Sequence, residues 1–209
     1  MHRLLSVLLV LAVFAISVTA AASPATDTVR KGNQKFQGLL AKKVEPGSSD
    51  EAKLVTQLTA DMRELFDIEG MVQRALVDHW AKMKPSEREE VVTTLRQLIE
   101  RAYLKQLRAN FQYAVSYDGE EKNGDSTVVK TTVKAERKGR PFALGIAYVL
   151  APKDGRLRVY DVITDDVSML KNYRSQFNRI IAKEGVAGLL GKMRKKLAAD
   201  EPAGASKTR

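Results

Sequence analysis

No cysteine occurs in the 209-residue chain. That excludes disulfides, thiolate nucleophiles and cysteine-based zinc sites. Histidine is almost as scarce, with only His2 and His79. A metal site needs three or four ligands at workable spacing, and one histidine beside Trp80 at a helix end reads as a capping or packing residue. The sequence has no Gly-Lys-Ser/Thr loop, no GxGxxG and no GxSxG. Nucleotide phosphates and hydrolase chemistry therefore lack their usual cradles. No cofactor is implied. After the first residues there is also no apolar run of membrane-spanning length.

The N-terminus is different. Met1-His2-Arg3 is a short positive start, and Leu4–Val18 is an apolar run. It is shorter than the roughly 20 residues a spanning helix needs. Val18-Thr19-Ala20 and Ala20-Ala21-Ala22 follow, with small residues at signal-peptidase spacing. Residues 1–22 are expected to be a cleaved signal peptide. No cysteine follows them, so no lipid anchor is expected, and the mature chain is expected to be exported. Residues 23–198 fit one domain with a sizeable core. The tail 199–209 is expected to be disordered.

The formal charge is +10. An exported basic chain has a natural counter-surface in anionic lipid headgroups, at about 1 kcal/mol per nearby cation. Export argues against nucleic acid as the partner. No apolar stripe is left over for a subunit interface, so a monomer is expected.

Helical periodicity dominates the first half. Val29, Phe36 and Leu40 mark a helix within 23–49, broken by Glu45–Asp50. Ser49 or Asp50 is expected to cap the next helix, with Leu54, Val55, Leu58, Met62 and Leu65 on one face. A second break is expected over Asp67–Gly70. Met71, Ala75 and Leu76 then share a stripe that ends near Trp80. Pro85 opens the longest helix, with Ser86 and Glu89 as an expected capping box. Its stripe of Val92, Leu95, Ile99, Ala102, Tyr103 and Leu107 runs to about Phe111.

The period then changes to two. Residues 113–117, 127–136, 141–150 and 156–163 read as strands, joined by turns at 122–125, 138–140 and 152–155. Short connections favour an antiparallel meander, and strands gathered after helices an α+β fold. The third strand is apolar on both faces. Phe142, Leu144, Ile146, Tyr148 and Leu150 are large, whereas Ala143, Gly145, Ala147 and Val149 are small. The small face reads either as the seat of a tightly packed helix or as a low floor for a ligand, since glycine in a strand marks close approach. On the second reading Ala147→Trp would block the ligand.

Past that sheet, Asp165 and Asp166 are expected at a helix start, with Ser168 or Asp166 as cap. Leu170, Tyr173, Phe177 and Ile180 form a stripe, and Gly185 ends the helix. A last helix turns Val186, Leu189, Leu190, Met193 and Leu197 inward and shows Lys192, Arg194, Lys195 and Lys196 outward as its polar side. Asp161, a charge in an apolar strand, is expected to pair with Arg174 or Arg179. Paired carboxylates at Asp165-Asp166 and Glu120-Glu121 sit at a helix start and a turn, not in the contrasting environments acid–base catalysis needs. What remains is apolar surface, which suits a binder of something greasy.

The run Tyr160-Asp161-Val162, then Asp166-Val167-Ser168, then Asn172, Tyr173, Arg174, Gln176 and Phe177, resembles the MlaC or toluene-tolerance auxiliary family. Phe66-Asp67, Met71, Ala75-Leu76, Trp80, the Pro85…Arg88 helix start and Tyr103 strengthen the likeness, which covers roughly Phe36 to Leu197. Two positions depart from the family pattern: Asp166 and Val77 stand where glycine is usual.

The resemblance implies a periplasmic phospholipid shuttle between an outer-membrane lipoprotein complex and an inner-membrane ABC transporter complex. It also implies helices packed over a curved antiparallel sheet of about four strands, with an apolar cavity between them for acyl chains. The residues assigned to its lining are Phe66, Met71, Leu76, Trp80, Ile99, Tyr103, Phe142, Leu144, Ile146, Tyr148, Val162, Met169, Tyr173 and Phe177. Two other classes stay open: a cavity enzyme of ketosteroid-isomerase-like fold using Asp161, and an envelope partner-binding protein without lipid.

Overall fold

The structure, a computed structural model, describes residues 23–45, 47–108, 113–137 and 139–199, with side chains for all of these except 103–108 and 137. The expected signal peptide, the helix end at Phe111, the Tyr103 side chain and all but the first residue of the expected tail lie outside the described residues. Among those residues no helix is long and apolar enough to cross a membrane.

Among the described residues, five helices and a five-stranded sheet form an α+β architecture. Helix α1 (Pro24–Leu40) starts where Ser23 accepts the Thr26 N–H and Pro24 occupies the first turn. It buries Val29, Phe36 and Leu39. Gly32 lets it lie close to α2 (Ser49–Leu65), since a Cβ there would stand 2.6 Å from Leu65 Cδ2. The cap of α2 is Ser48, one residue earlier than expected: its hydroxyl accepts the Glu51 N–H at 3.1 Å, and the Glu51 carboxylate accepts the Gly47 N–H at 2.7 Å.

The second break is also narrower than expected. Phe66 alone is extended, forming a bridge to Val159, and the Asp67 N–H donates to the Val159 carbonyl at 2.8 Å. Asp67 then caps α3 (Ile68–Ala75) by accepting the Gly70 N–H at 2.8 Å. Residues 68–70, read as loop, are helical because that cap holds them. After a short turn at Trp80–Lys82 comes α4 (Pro85–Arg108). There Glu87, not Glu89, reaches back, accepting the Lys84 N–H at 2.8 Å.

The sheet is an antiparallel meander in chain order: β1 (Tyr113–Asn123), β2 (Ser126–Arg137), β3 (Arg140–Lys153), β4 (Arg156–Thr164) and β5 (Val167–Ser168). Bulges between Tyr117 and Gly119 and between Val149 and Leu150 bend it. The unexpected fifth strand exists because Asp165 and Asp166 are not a helix start. Both have positive φ, 44° and 64°, and together make the two-residue turn of a tight hairpin. Asp166 thus takes the backbone conformation that favours glycine, while Val77, the other departure from the family pattern, is not among the positive-φ residues.

Register decides which face of β3 is inside. Ala143 and Ala147 pair with Lys134 and Lys130, whose side chains are exposed. From Ala143 to Ala147 the small face therefore turns away from the helices: Ala143 and Gly145 are exposed and Ala147 is half-buried, while Val149 at its end is buried. Neither a packed helix nor a ligand floor lies over Ala143–Ala147, and Ala147→Trp loses its rationale. Gly145 still marks a close approach, but by the β4–β5 turn. Its carbonyl accepts the Asp165 N–H at 3.1 Å, and an Asp165 carboxylate oxygen sits 3.9 Å from where a Cβ would be.

The final helix α5 (Met169–Ala199) is broken into two arms at Gly185, where φ 68° and ψ −177° form a conformation open essentially to glycine alone. Ser168 caps it, accepting the Lys171 N–H at 3.0 Å.

Candidate functional site

The large face of β3 is the floor beneath the helices. Cross-strand pairing sets Phe142 beside Ala135, Leu144 beside Val133, Ile146 beside Thr131 and Tyr148 beside Val129. On the other flank Val162 faces Tyr148 and Thr164 faces Ile146. Beyond β2, Val115 and Tyr117 of β1 extend the same rows. Helix α1 lies against β1, β2 and β4, while α2, α3 and α5 lie against β4 and α4 packs chiefly on α5. Together they enclose the Tyr148–Leu150 end of the central strand and cover its Phe142–Ile146 end only in part.

Cover along this floor is uneven. Phe142 is 37% exposed, Leu144 and Ile146 are half-buried, Tyr148 is 9% exposed and Leu150 is fully enclosed. One end of the floor is open and the other is solid core.

The residues assigned to the lining divide accordingly. Phe142, Leu144, Ile146, Tyr148 and Val162 share the floor. Met169 and Tyr173 are half-buried on α5, with the rings of Tyr173 and Phe177 stacked at 5.5 Å. Burial pushes the Tyr173 phenol above its ordinary pKa, so it stays neutral. Met71, Leu76 and Phe177 are packed inside the closed core. Trp80 stands past the end of α3 with the Arg88 guanidinium 5.3 Å over its ring. Phe66 and Ile99 line a separate cleft of about 290 Å³, whose rim carries Arg63, Glu100, Lys153 and Arg158.

Sequence reasoning missed a polar belt across the closed end. Tyr148 Oη donates to Asn33 Oδ1 at 3.4 Å, and Asn33 Nδ2 donates to Tyr117 Oη at 3.2 Å. The Arg30 guanidinium covers the Tyr117 ring at 4.4 Å. Asn33 is 5% exposed, so these partners satisfy an amide that burial would otherwise penalise. The signal was a polar residue on the Val29–Phe36 stripe of α1.

Asp161 is not a pocket acid, and its expected pairing with Arg174 or Arg179 is replaced by another role. It lies opposite Val149 on the outer face. Its carboxylate accepts the Ser168 hydroxyl at 2.6 Å and the Leu170 N–H at 2.9 Å, fastening β4 to the start of α5. Arg174 instead donates to the Arg74 carbonyl at 2.7 and 3.2 Å. On the basic face of α5, Lys192 pairs with Glu184 at 3.1 Å and Arg194 with Glu90 at 2.7 Å.

Comparison with known proteins follows the same lines. The chain is 24% identical over 188 residues to the intermembrane phospholipid transport system binding protein MlaC of Haemophilus influenzae, covering 88% of this chain and 87% of that protein. Its fold matches a phospholipid-binding protein from Ralstonia solanacearum, solved in complex with a phospholipid. That match has a TM-score of 0.70 and 22% identity, over 86% of this chain and 99% of the other. The family model described as MlaC protein matches residues 31–195. With that match spanning most of its length, the chain belongs to the MlaC family.

Proposed function

We propose that this protein is a periplasmic phospholipid carrier and not an enzyme. It holds acyl chains over the large face of β3 and leaves the headgroup near solvent. It moves lipid between an outer-membrane lipoprotein complex and an inner-membrane ABC transporter complex. The observation that carries this reading is the row Phe142, Leu144 and Ile146: large apolar side chains of a central strand that the helices frame and leave partly uncovered. A closed fold would bury such a row. Family membership and the phospholipid named for both relatives support the same ligand.

The energetics require a carrier of this kind. Each methylene withdrawn from water contributes about 0.8 kcal/mol, so two acyl chains are too costly to leave exposed in transit. Affinity then comes from apolar area, with little demand for headgroup selectivity. Release follows when a partner opens the hollow or offers an equally apolar route. The test is mass spectrometry of organic extracts from protein purified from its native envelope. Phospholipid at near-stoichiometric amount is expected. Protein that is folded and lipid-free, before and after mixing with phospholipid vesicles, refutes the proposal.

A further inference from the structure

We infer that Tyr148 sets the length of acyl chain the protein holds, an inference that rests on the phospholipid reading above. From Phe142 to Ile146 the floor is partly uncovered. Four strand steps give it a length of about 14 Å. One leaflet of a bilayer, half of a hydrocarbon core roughly 30 Å thick, is about as long. The open floor therefore accommodates one leaflet depth of chain and ends at Tyr148.

The stop is both steric and polar. Val129 and Val162 flank the ring on the neighbouring strands, and beyond it Leu150 and Val159 are fully enclosed. The Tyr148 hydroxyl is tied to Asn33 of α1, and Asn33 to Tyr117 of β1. A methyl terminus pushed past the ring would separate these groups and leave a buried amide without partners, which is costly. Chains longer than the open floor must bend back or leave methylenes in water. Tyr148 is thus a specificity residue acting through the space it denies.

Vesicles holding equal amounts of two phosphatidylcholines that differ by two methylenes per chain supply the probe. Purified protein is mixed with them, re-isolated, extracted and the bound lipids quantified. Tyr148→Leu shortens the stop and is expected to shift the bound ratio toward the longer lipid, by about fourfold per methylene newly covered. Ile146→Trp raises a stop earlier on the floor, at a half-buried site, and is expected to shift the ratio the other way. If Tyr148→Leu does not fold, Tyr148→Met takes its place, with the same expected shift toward the longer lipid. Unchanged ratios in every variant that folds and retains lipid overturn the role of Tyr148 while leaving the carrier intact. A wild-type protein that takes up neither lipid overturns the carrier itself.

Discussion

Asp161→Asn isolates the join between the sheet and α5. In the native chain one buried carboxylate accepts the Ser168 hydroxyl at 2.6 Å and the Leu170 N–H at 2.9 Å. Asparagine keeps the size but has only one accepting oxygen. Its amide nitrogen must face either the Leu170 N–H, losing that bond, or the Ser168 hydroxyl, which keeps a bond only by turning to accept, and in both cases the remaining bonds lose their charge. Hydrogen bonds to charged groups contribute about 1.5–3 kcal/mol each. The expected destabilisation is about 2–3 kcal/mol, which for a domain of this size lowers Tm by roughly 5–10 °C. Equilibrium urea unfolding with thermal circular dichroism measures both. Ser168→Ala should cost less in the Asp161→Asn background than alone, because the two side chains share one bond. Since Asp161 is on the outer face, folded Asp161→Asn protein should still carry lipid. A change below about 0.5 kcal/mol, or strict additivity with Ser168→Ala, refutes this account.

Two further expectations concern turns and termini. Asp166 holds φ at 64°, so Asp166→Gly should relieve the hairpin and stabilise the protein by about 0.5–1 kcal/mol in denaturant titration; destabilisation would show that the aspartate side chain itself holds the turn. The Ser23 hydroxyl, then Thr26 and nearby Lys122, hold the Glu120 carboxyl below its ordinary pKa of 4.5. A depressed folded pKa adds stability above the unfolded pKa that is lost as pH falls through the folded value. Wild type should therefore melt above Glu120→Gln at neutral pH, with the gap closing in acid; a gap that widens in acid contradicts the contact.

The elements were legible where periodicity was strong. Strands β2, β3 and β4 stand within three residues of the sequence reading, whereas β1 runs on to Asn123, six residues past its expected end and into the expected turn. The errors were local contests between neighbouring polar residues: Ser48 against Ser49 at one cap, Glu87 against Glu89 at another. Asp165-Asp166 carried the charge pattern of a helix start, yet their backbone is that of a type I′ turn, and charge says nothing about φ. The face of β3 was ambiguous because a strand apolar on both sides has no outward signal of its own. Its neighbour had one: Lys130 and Lys134 alternate with Val129, Thr131 and Val133, and pairing transmits that choice across the sheet. The lining residues on helical stripes were only partly separable, since Met71 and Leu76 share the period of Tyr173 but fill solid core.

The chain-order meander also shapes assembly. Every strand pairs with the strand beside it in sequence, so the sheet zips through short loops, hairpin by hairpin. The helices join it over longer separations: in α1, Asn33 reaches partners 84 and 115 residues downstream. Contacts at such separation carry a larger loop-closure cost than the hairpins, so the polar belt is expected to form after the strands it joins. Closing the Tyr148 end of the sheet floor is then expected to be a late folding event.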